Sequence, residues 1–182
     1  MEWSTSPTTD RSSSTMKLAA TLISVCLLAQ TVSAHYIWST LIAGGTTSTA
    51  AVRQPINNNP VENVSSRDMT CNVNPSPASD TVTVAAGSTI GFKLDNTLYH
   101  QGPAAIYLGK APSTAASWDG SGANWFKIAE WGATFNPFQF TDFNANQLTT
   151  TIPSSVPAGE YLIRLVFLRL FLLILANPGA QN

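Results

Sequence analysis

Short runs of alternating apolar and polar residues, separated by glycine and proline, dominate the chain between residues 35 and 164. The runs that we predict as strands are Thr81–Val84, Ile90–Leu94, Ala104–Leu108, Trp125–Ala129, Gln147–Ile152 and Glu160–Arg164. The first two are joined by a glycine-containing turn, which predicts a β-hairpin. No stretch in this part has a helical period with capping residues. The pattern therefore predicts an all-β chain, an immunoglobulin- or fibronectin-like β-sandwich with long loops.

The segment Leu165–Ala176 departs from this pattern, because it is apolar at every position except Arg169. A buried central strand is one interpretation, since such a strand can be apolar on both faces, but the run is long for a strand. A membrane anchor is disfavoured by the short run and by the cost of placing Arg169 near the centre of a bilayer. A lipid-anchor signal is a weaker third interpretation.

The first 34 residues have the composition of a leader with a secretory signal peptide. Residues 17–34 contain one positive charge, an apolar run too short to cross a bilayer, and small residues before the expected cleavage site. Met16 is the better start for this signal than Met1. Cleavage after Ala34 would leave residues 35–182, a length that suits one secreted domain.

Cleavage at this position would make a histidine the first residue of the mature chain. His35 would then offer two nitrogen donors, the free α-amine and a ring nitrogen, which can close one chelate ring on a metal. The other histidine of the sequence is His100. Three nitrogens in a plane suit Cu(II), so we predict that His35 and His100 are metal ligands. The alternative for His100 is a hydrogen-bonded polar residue near the edge of the sandwich.

Charge is low and nearly balanced, with 9 Lys and Arg against 10 Asp and Glu and a net charge of −1. A nucleic-acid partner is excluded because no basic patch is present to neutralise phosphates. A neutral partner, such as a polysaccharide or a small molecule, fits this composition better. We predict no membrane partner and a monomeric protein.

Cysteine usage leaves one thiol in the mature chain. Cys26 would be removed with the signal, so Cys71 would be alone in an oxidising compartment. Intermolecular pairing, a free reactive thiol and a missing partner all remain open. The triplet that begins at Asn63 is an acceptor sequence for N-glycosylation, which predicts a glycan there.

Four stretches between residues 35 and 164 resemble the fungal lytic polysaccharide monooxygenases of auxiliary activity family nine, formerly glycoside hydrolase family sixty-one. The first is the terminus at His35, and the second is the block Val52–Asn72. The third combines Ala85-Ala86-Gly87 with Tyr99-His100-Gln101-Gly102-Pro103. The fourth combines Asp119-Gly120-Ser121-Gly122, Trp125-Phe126-Lys127-Ile128 and Pro157–Arg164. The stretches occur in the family's order. Each is weakly specific by itself, and together they are quite specific.

The resemblance implies a histidine brace with one copper ion per chain. His35 would bind through its α-amine and one ring nitrogen, and His100 would add the third nitrogen. The activity implied is oxidative cleavage of β-1,4-glucan chains, cellulose above all. Its partners would be the glucan, an external electron donor, and O₂ or H₂O₂, outside the cell.

The resemblance weakens after Arg164, where the family carries a glutamate and a further histidine. It implies that Gln181 is the glutamine that orients the oxygen species from outside the metal's ligand shell. It also implies that the disulfide partner of Cys71 is absent from the chain. We therefore expect residues 165–182 to be aberrant and the sandwich to be incomplete at its C-terminus.

Three other functions remain open at this point: a hydrolase, a secreted copper- or glycan-binding protein, and an inactive truncated product. A hydrolase is disfavoured because no carboxylate pair stands out; Asp68, Asp119 and Glu160 are better interpreted as loop or strand-edge residues. No substrate-binding residue is identified. The aromatic candidates, which we expect to pack inside the protein more often than to bind substrate, are Tyr36, Trp38, Trp118 and Trp131.

Overall fold

The computed structural model describes residues 36–169, which form nine strands and one short 3₁₀ turn. The strands are β1 Thr40–Ala43, β2 Thr46–Ser48, β3 Thr89–Lys93, β4 Ala104–Lys110, β5 Trp125–Trp131, β6 Ala133–Phe135, β7 Phe138–Phe140, β8 Gln147–Thr151 and β9 Tyr161–Phe167. The 3₁₀ turn is Arg67–Met69. The predictions for the signal peptide, His35 and Gln181 lie outside the described residues. Within them, no helix has the length and apolar character needed to cross a membrane.

One sheet contains four antiparallel strands in the order β2-β1-β3-β8. The β1–β2 hairpin closes through Gly44 and Gly45, whose φ values of +58° and +88° lie in the left-handed region. Glycine adopts this region without the steric cost that a side chain brings, and hairpins with two-residue loops favour it. The N-terminal segment of the described chain is thereby fixed to the centre of this sheet.

The second sheet contains three antiparallel strands in the order β5-β4-β9. Its register shifts between Ile106 and Tyr107 on β4, which leaves Ile128 of β5 as the extra residue of a β-bulge. At one end of this sheet, Ala104 of β4 pairs with Trp131 of β5 on one side and with Phe167 of β9 on the other. This end of the sheet lies beside the loop that carries His100.

The prediction of a hairpin between Thr81–Val84 and the following strand is wrong. Strand β3 pairs with β1 on one edge and with β8 on the other, so neither edge is free for residues 81–84. Val82 and Val84 pack against the core as irregular chain instead. Apolar and polar residues alternate here because one side of the segment packs against the core, and a strand with one buried face produces the same pattern.

The segment predicted to be aberrant begins as a regular strand. Leu165, Val166 and Phe167 continue β9 and pair with Ile106, Ala105 and Ala104 in turn. These three apolar residues are therefore regular strand, paired with the ladder that β4 provides. That residues 165–182 are aberrant stays a prediction.

Two clusters of buried side chains fill the space between the sheets. The larger cluster consists of Leu41, Ala43, Val52, Ile90, Phe92, Leu108 and Ile152. The smaller cluster consists of Leu94, Leu98, Ala104 and Leu148, with Tyr36, Trp38, Trp131 and Phe167 packed against it. The structure thus confirms the prediction of an all-β sandwich, and the smaller cluster supports the loop with His100.

Candidate metal centre

His100 lies half-buried in the loop between β3 and β4, among tyrosine rings. Its backbone N–H donates a hydrogen bond to the hydroxyl oxygen of Tyr36 at 2.8 Å. Its ring centroid lies 5.6 Å from that of Tyr36 and 4.6 Å from that of Tyr99. Burial raises the pKa of Tyr36, which favours its neutral phenol.

The residue that precedes Tyr36 in the sequence is His35, and the segment that follows Tyr36 is bound to the same loop. The N–H of Ile37 donates to a carboxylate oxygen of Asp95 at 3.1 Å, and the carbonyl of Ile37 accepts from the N–H of Asp95 at 3.1 Å. Neighbouring Cα atoms are about 3.8 Å apart along any chain. Tyr36 is therefore both the covalent neighbour of one predicted ligand and a contact of the other.

The loop that carries His100 is held from two further sides. The side-chain oxygen of Gln101 accepts a hydrogen bond from the N–H of Phe140 at 3.0 Å. At Gly102 the backbone of Leu168 approaches so closely that a Cβ atom would lie 2.0 Å from the carbonyl oxygen of Leu168. The N–H of Leu168 then donates to Pro103 at 3.0 Å. These contacts fix the backbone on both sides of His100.

The donor chemistry at this position fits copper. Within residues 36–169 no group of three or more His, Cys, Asp or Glu side chains could hold a metal. The ligand set that we predict does not require such a group, because it takes only one side chain from these residues. His100 would supply one imidazole nitrogen, and His35 would supply the other two nitrogens from a single residue. A set of three nitrogens with no carboxylate suits Cu(II) better than the hard cations that prefer oxygen.

Other site residues of the sequence analysis lie apart from this loop in the chain. Asn63 is exposed, and its side-chain oxygen accepts from the N–H of Ser65 at 2.9 Å, so the acceptor triplet forms a surface turn. Cys71 is half-buried and forms no disulfide within residues 36–169, and a guanidinium nitrogen of Arg53 lies 3.8 Å from its sulfur. Glycosylation of Asn63 and a disulfide of Cys71 both stay predictions.

The three carboxylates that we assigned to loops and strand edges are engaged in local hydrogen bonds. Asp68 accepts from the hydroxyl of Ser66, and Glu160 accepts from the N–H of Ala115 at 2.6 Å. Hydrogen bonds from the side chain and backbone of Ser121 lower the pKa of Asp119. These contacts order turns, and they do not form a pair of carboxylates on either side of a substrate.

The four aromatic candidates are all at least partly covered by packing. Trp118 stacks on Trp125 with centroids 5.4 Å apart, while Tyr36, Trp38 and Trp131 pack against the smaller core cluster. The two most exposed rings belong to residues that the sequence analysis did not single out: Phe135 is 83% exposed and Phe138 is 52% exposed, compared with 40% for Phe126. An Asn-Pro pair between two phenylalanines was the signal that could have indicated this hairpin.

A fully buried carboxylate lies in the segment that packs on the His100 loop. Asp142 is 1% exposed, and neither of its carboxylate oxygens accepts a hydrogen bond within the described part of the chain. Burial raises its pKa to about 6. Its neighbours Asn144 and Ala145 exchange backbone hydrogen bonds with Leu98 at 2.7 and 2.9 Å, so Asp142 is held inside the structure.

We expect this carboxylate to make the apo protein less stable as the pH rises. The folded-state pKa of Asp142 exceeds the ordinary value of 3.8. The folded state therefore binds more protons, and stability is lost as the pH rises from about 4 to about 6. Asp142→Asn removes this loss. The change that it causes in the free energy of unfolding should be about 1–2 kcal/mol more stabilising at pH 7.5 than at pH 4.5. Urea unfolding with EDTA at both pH values measures the difference.

The exposed Asp80 provides the control for this prediction. Asp80→Asn makes the same substitution at an exposed position. The pH dependence of unfolding of Asp142→Asn is compared with that of this variant and of wild type. An equal pH dependence in wild-type protein and Asp142→Asn would contradict the assignment.

Comparison with known proteins shows one consistent similarity. Residues 35–171 match the family model described as Auxiliary Activity family 9, formerly GH61. The chain is 43% identical over 155 residues to AA9 family lytic polysaccharide monooxygenase E of Podospora anserina, covering 82% of this chain and 52% of that protein. It is 46% identical over 147 residues to monooxygenase H of Malbranchea cinnamomea, covering 75% of this chain and 64% of that protein.

A solved structure shares the fold. It is described as a cellulose-active polysaccharide monooxygenase from M. thermophila, and it superposes with a TM-score of 0.60 at 26% identity. The superposition covers 73% of this chain and 69% of that one. The chain spans between about half and two thirds of the length of the two curated relatives.

Proposed function

Because this chain belongs to Auxiliary Activity family 9, we propose that its mature form is a secreted, copper-dependent monooxygenase that cleaves cellulose chains oxidatively. The observation that carries this proposal is the contact between Tyr36 and His100. It brings the covalent neighbour of His35 against the second predicted ligand. The match to the family model starts at His35, which supports a mature chain that starts there.

The residues of the chain have distinct roles in this proposal. His100 would provide one nitrogen to copper, and the α-amine and ring of His35 would provide two. Copper held there would supply the redox chemistry by which O₂ or H₂O₂, with an external electron donor, oxidises the glucan. Hydrogen bonds from His100 to Tyr36 and from Ile37 to Asp95 join the start of the described chain to this loop, which supports a shared site for His35 and His100. Gln181 would orient the oxygen species from outside the ligand shell.

A neutral glucan is the substrate that the chemistry of the chain supports. With a net charge of −1 and few charged residues, the protein has little attraction for a charged polymer. The similar solved structure is described as cellulose-active, and we propose the same substrate here. The carboxylates Asp68, Asp119 and Glu160 are engaged in local hydrogen bonds, which disfavours a role for them as a hydrolytic pair.

Product analysis tests this proposal directly. The mature chain, loaded with copper, is incubated with cellulose in the presence and absence of ascorbate, and the released sugars are identified by mass spectrometry. We expect oxidised oligosaccharides only when both copper and ascorbate are present. Release of unoxidised sugars without reductant would indicate a hydrolase and would overturn the proposal.

The same experiment separates catalysis from binding alone. A chain that binds Cu(II) and cellulose but releases no oxidised product with ascorbate would be a copper- or glycan-binding protein. The monooxygenase proposal would then fail, although the ligand assignment of His35 and His100 would stand.

A further inference from the structure

A row of phenylalanine rings runs outward along the β6–β7 hairpin. The ring centroids of Phe135 and Phe138 are 6.0 Å apart, and those of Phe138 and Phe140 are 5.7 Å apart. Exposure increases along the row, from 8% at Phe140 through 52% at Phe138 to 83% at Phe135. Adjacent aromatic side chains that are this exposed form an apolar patch, and such patches often mark binding sites.

Strand pairing places these rings on one face of the hairpin. Phe135 lies opposite Phe138, and Phe140 follows Phe138 by two positions, so all three side chains point to the same side. Thr134 and Gln139, which pair with each other, occupy the opposite face. The row is therefore a product of the register, and a shift by one residue would separate the rings.

The inner end of the row is attached to the loop that carries His100. The N–H of Phe140 donates to the side chain of Gln101, the residue directly after His100. The N–H of Thr141 donates to the carbonyl of Gly132 at 3.0 Å, which closes the base of the hairpin. The exposed rings thus extend outward from the neighbourhood of the candidate metal centre.

The chemistry of the hairpin selects a neutral ligand. Residues 132–141 include no Lys, Arg, Asp or Glu, and the polar side chains of the hairpin carry only hydroxyls and amides, with the amide of Asn136 in the turn between Phe135 and Phe138. Flat aromatic rings pack against the apolar faces of sugar rings, and amides bond to their hydroxyl groups. A charged polymer or a lipid headgroup would find no counter-charge there.

We propose that Phe135 and Phe138 form a β-glucan-binding surface that extends the site at His100. The inference rests on the proposed function, and it adds residues that hold the substrate without touching the metal. A chain bound along the row would remain anchored beside His100. Loss of the rings should therefore weaken adsorption to the polysaccharide and leave copper binding unchanged.

Adsorption of the copper-loaded mature chain to microcrystalline cellulose, without reductant, tests this inference. The double variant Phe135→Leu/Phe138→Leu keeps apolar side chains but removes the flat rings. We expect its partition coefficient to fall by about three- to tenfold. Phe135→Tyr/Phe138→Tyr retains the rings and should adsorb like wild type. Ile56→Leu, an exposed apolar position that is 62% accessible in another loop, is the control.

Each further outcome has a defined meaning. Cu(II) affinity and thermal midpoint, measured on the same variants, should equal those of wild type. Equal adsorption of wild type and the double leucine variant would overturn the inference. The proposed function would survive that result if oxidised products are still released. Concentration-dependent dimerisation that the double variant abolishes, with adsorption unchanged, would assign the rings to a second copy of the chain and overturn it too.

Discussion

Substitution of His100 by alanine is expected to abolish tight Cu(II) binding by the mature chain. The substitution removes the imidazole, and within residues 36–169 no other cluster of His, Cys, Asp or Glu could replace it. Loss of an outer-shell partner typically weakens metal affinity by about ten- to a hundredfold, so loss of a ligand should exceed about a hundredfold. Isothermal titration with Cu(II) measures the change.

The fold should survive this substitution, because His100 is only half-buried and its backbone N–H can still donate to Tyr36. Thr97→Ala is the matched control, since Thr97 is an exposed residue of the same loop. It should bind Cu(II) as wild type does. Unchanged Cu(II) affinity in a folded His100→Ala variant would show that this histidine is not a ligand.

Gly102→Ala is expected to destabilise the protein and to displace the loop that carries His100. A Cβ at this position would lie 2.0 Å from the carbonyl oxygen of Leu168 and 2.9 Å from its carbonyl carbon. Both atoms belong to the backbone, so no rotamer change relieves the contact, and the loop or the end of β9 must move. Such overpacking typically costs about 1–3 kcal/mol.

Because His100 is two residues away, the displaced loop should also bind Cu(II) more weakly. The control is Gly132→Ala, where a Cβ would meet no atom within 4 Å. Thermal unfolding of the apo proteins and Cu(II) titration of each variant provide the two measurements. Equal unfolding midpoints for the two alanine variants would contradict the close approach between Gly102 and Leu168.

Local patterns in the sequence predicted most of the strands that pair over long distances. Ile90–Leu94, Ala104–Leu108, Trp125–Ala129 and Gln147–Ile152 overlap β3, β4, β5 and β8. The alternation is clearest in β4, where Ala104, Ile106 and Leu108 are buried and the residues between them are half-buried. For the apolar run after Arg164 a strand was one of several interpretations, and its first three residues are strand through their pairing with β4.

Two hairpins were missed although their turns carry a local signal. Gly44-Gly45 joins β1 to β2, and Asn136-Pro137 joins β6 to β7, and both are two-residue connections. The flanking strands are only three or four residues long, so their alternation is too brief to recognise. Conversely, Thr81–Val84 alternates without pairing because the edges of β3 are already occupied.

The sequence indicates the two candidate ligands, His35 and His100, and only the structure shows the contacts that support the loop of His100. His100 emerged because the sequence contains one other histidine and motifs that resemble a known family. The contacts that fix its loop join Tyr36 to His100, Gln101 to Phe140 and Gly102 to Leu168. These pairs are separated by about forty residues or more, and no local period indicates them. The exposed phenylalanine row depends on strand register in the same way.

The most direct test of the copper site compares two forms of the chain that differ by one residue. One form begins at His35, and the other carries an additional methionine before it, which converts the α-amine of His35 into an amide. If His35 and His100 form the brace, the processed form should bind Cu(II) tightly with a spectrum of three nitrogen ligands, and the extended form should lose this binding. Equal Cu(II) affinity and equal spectra for the two forms would contradict the brace.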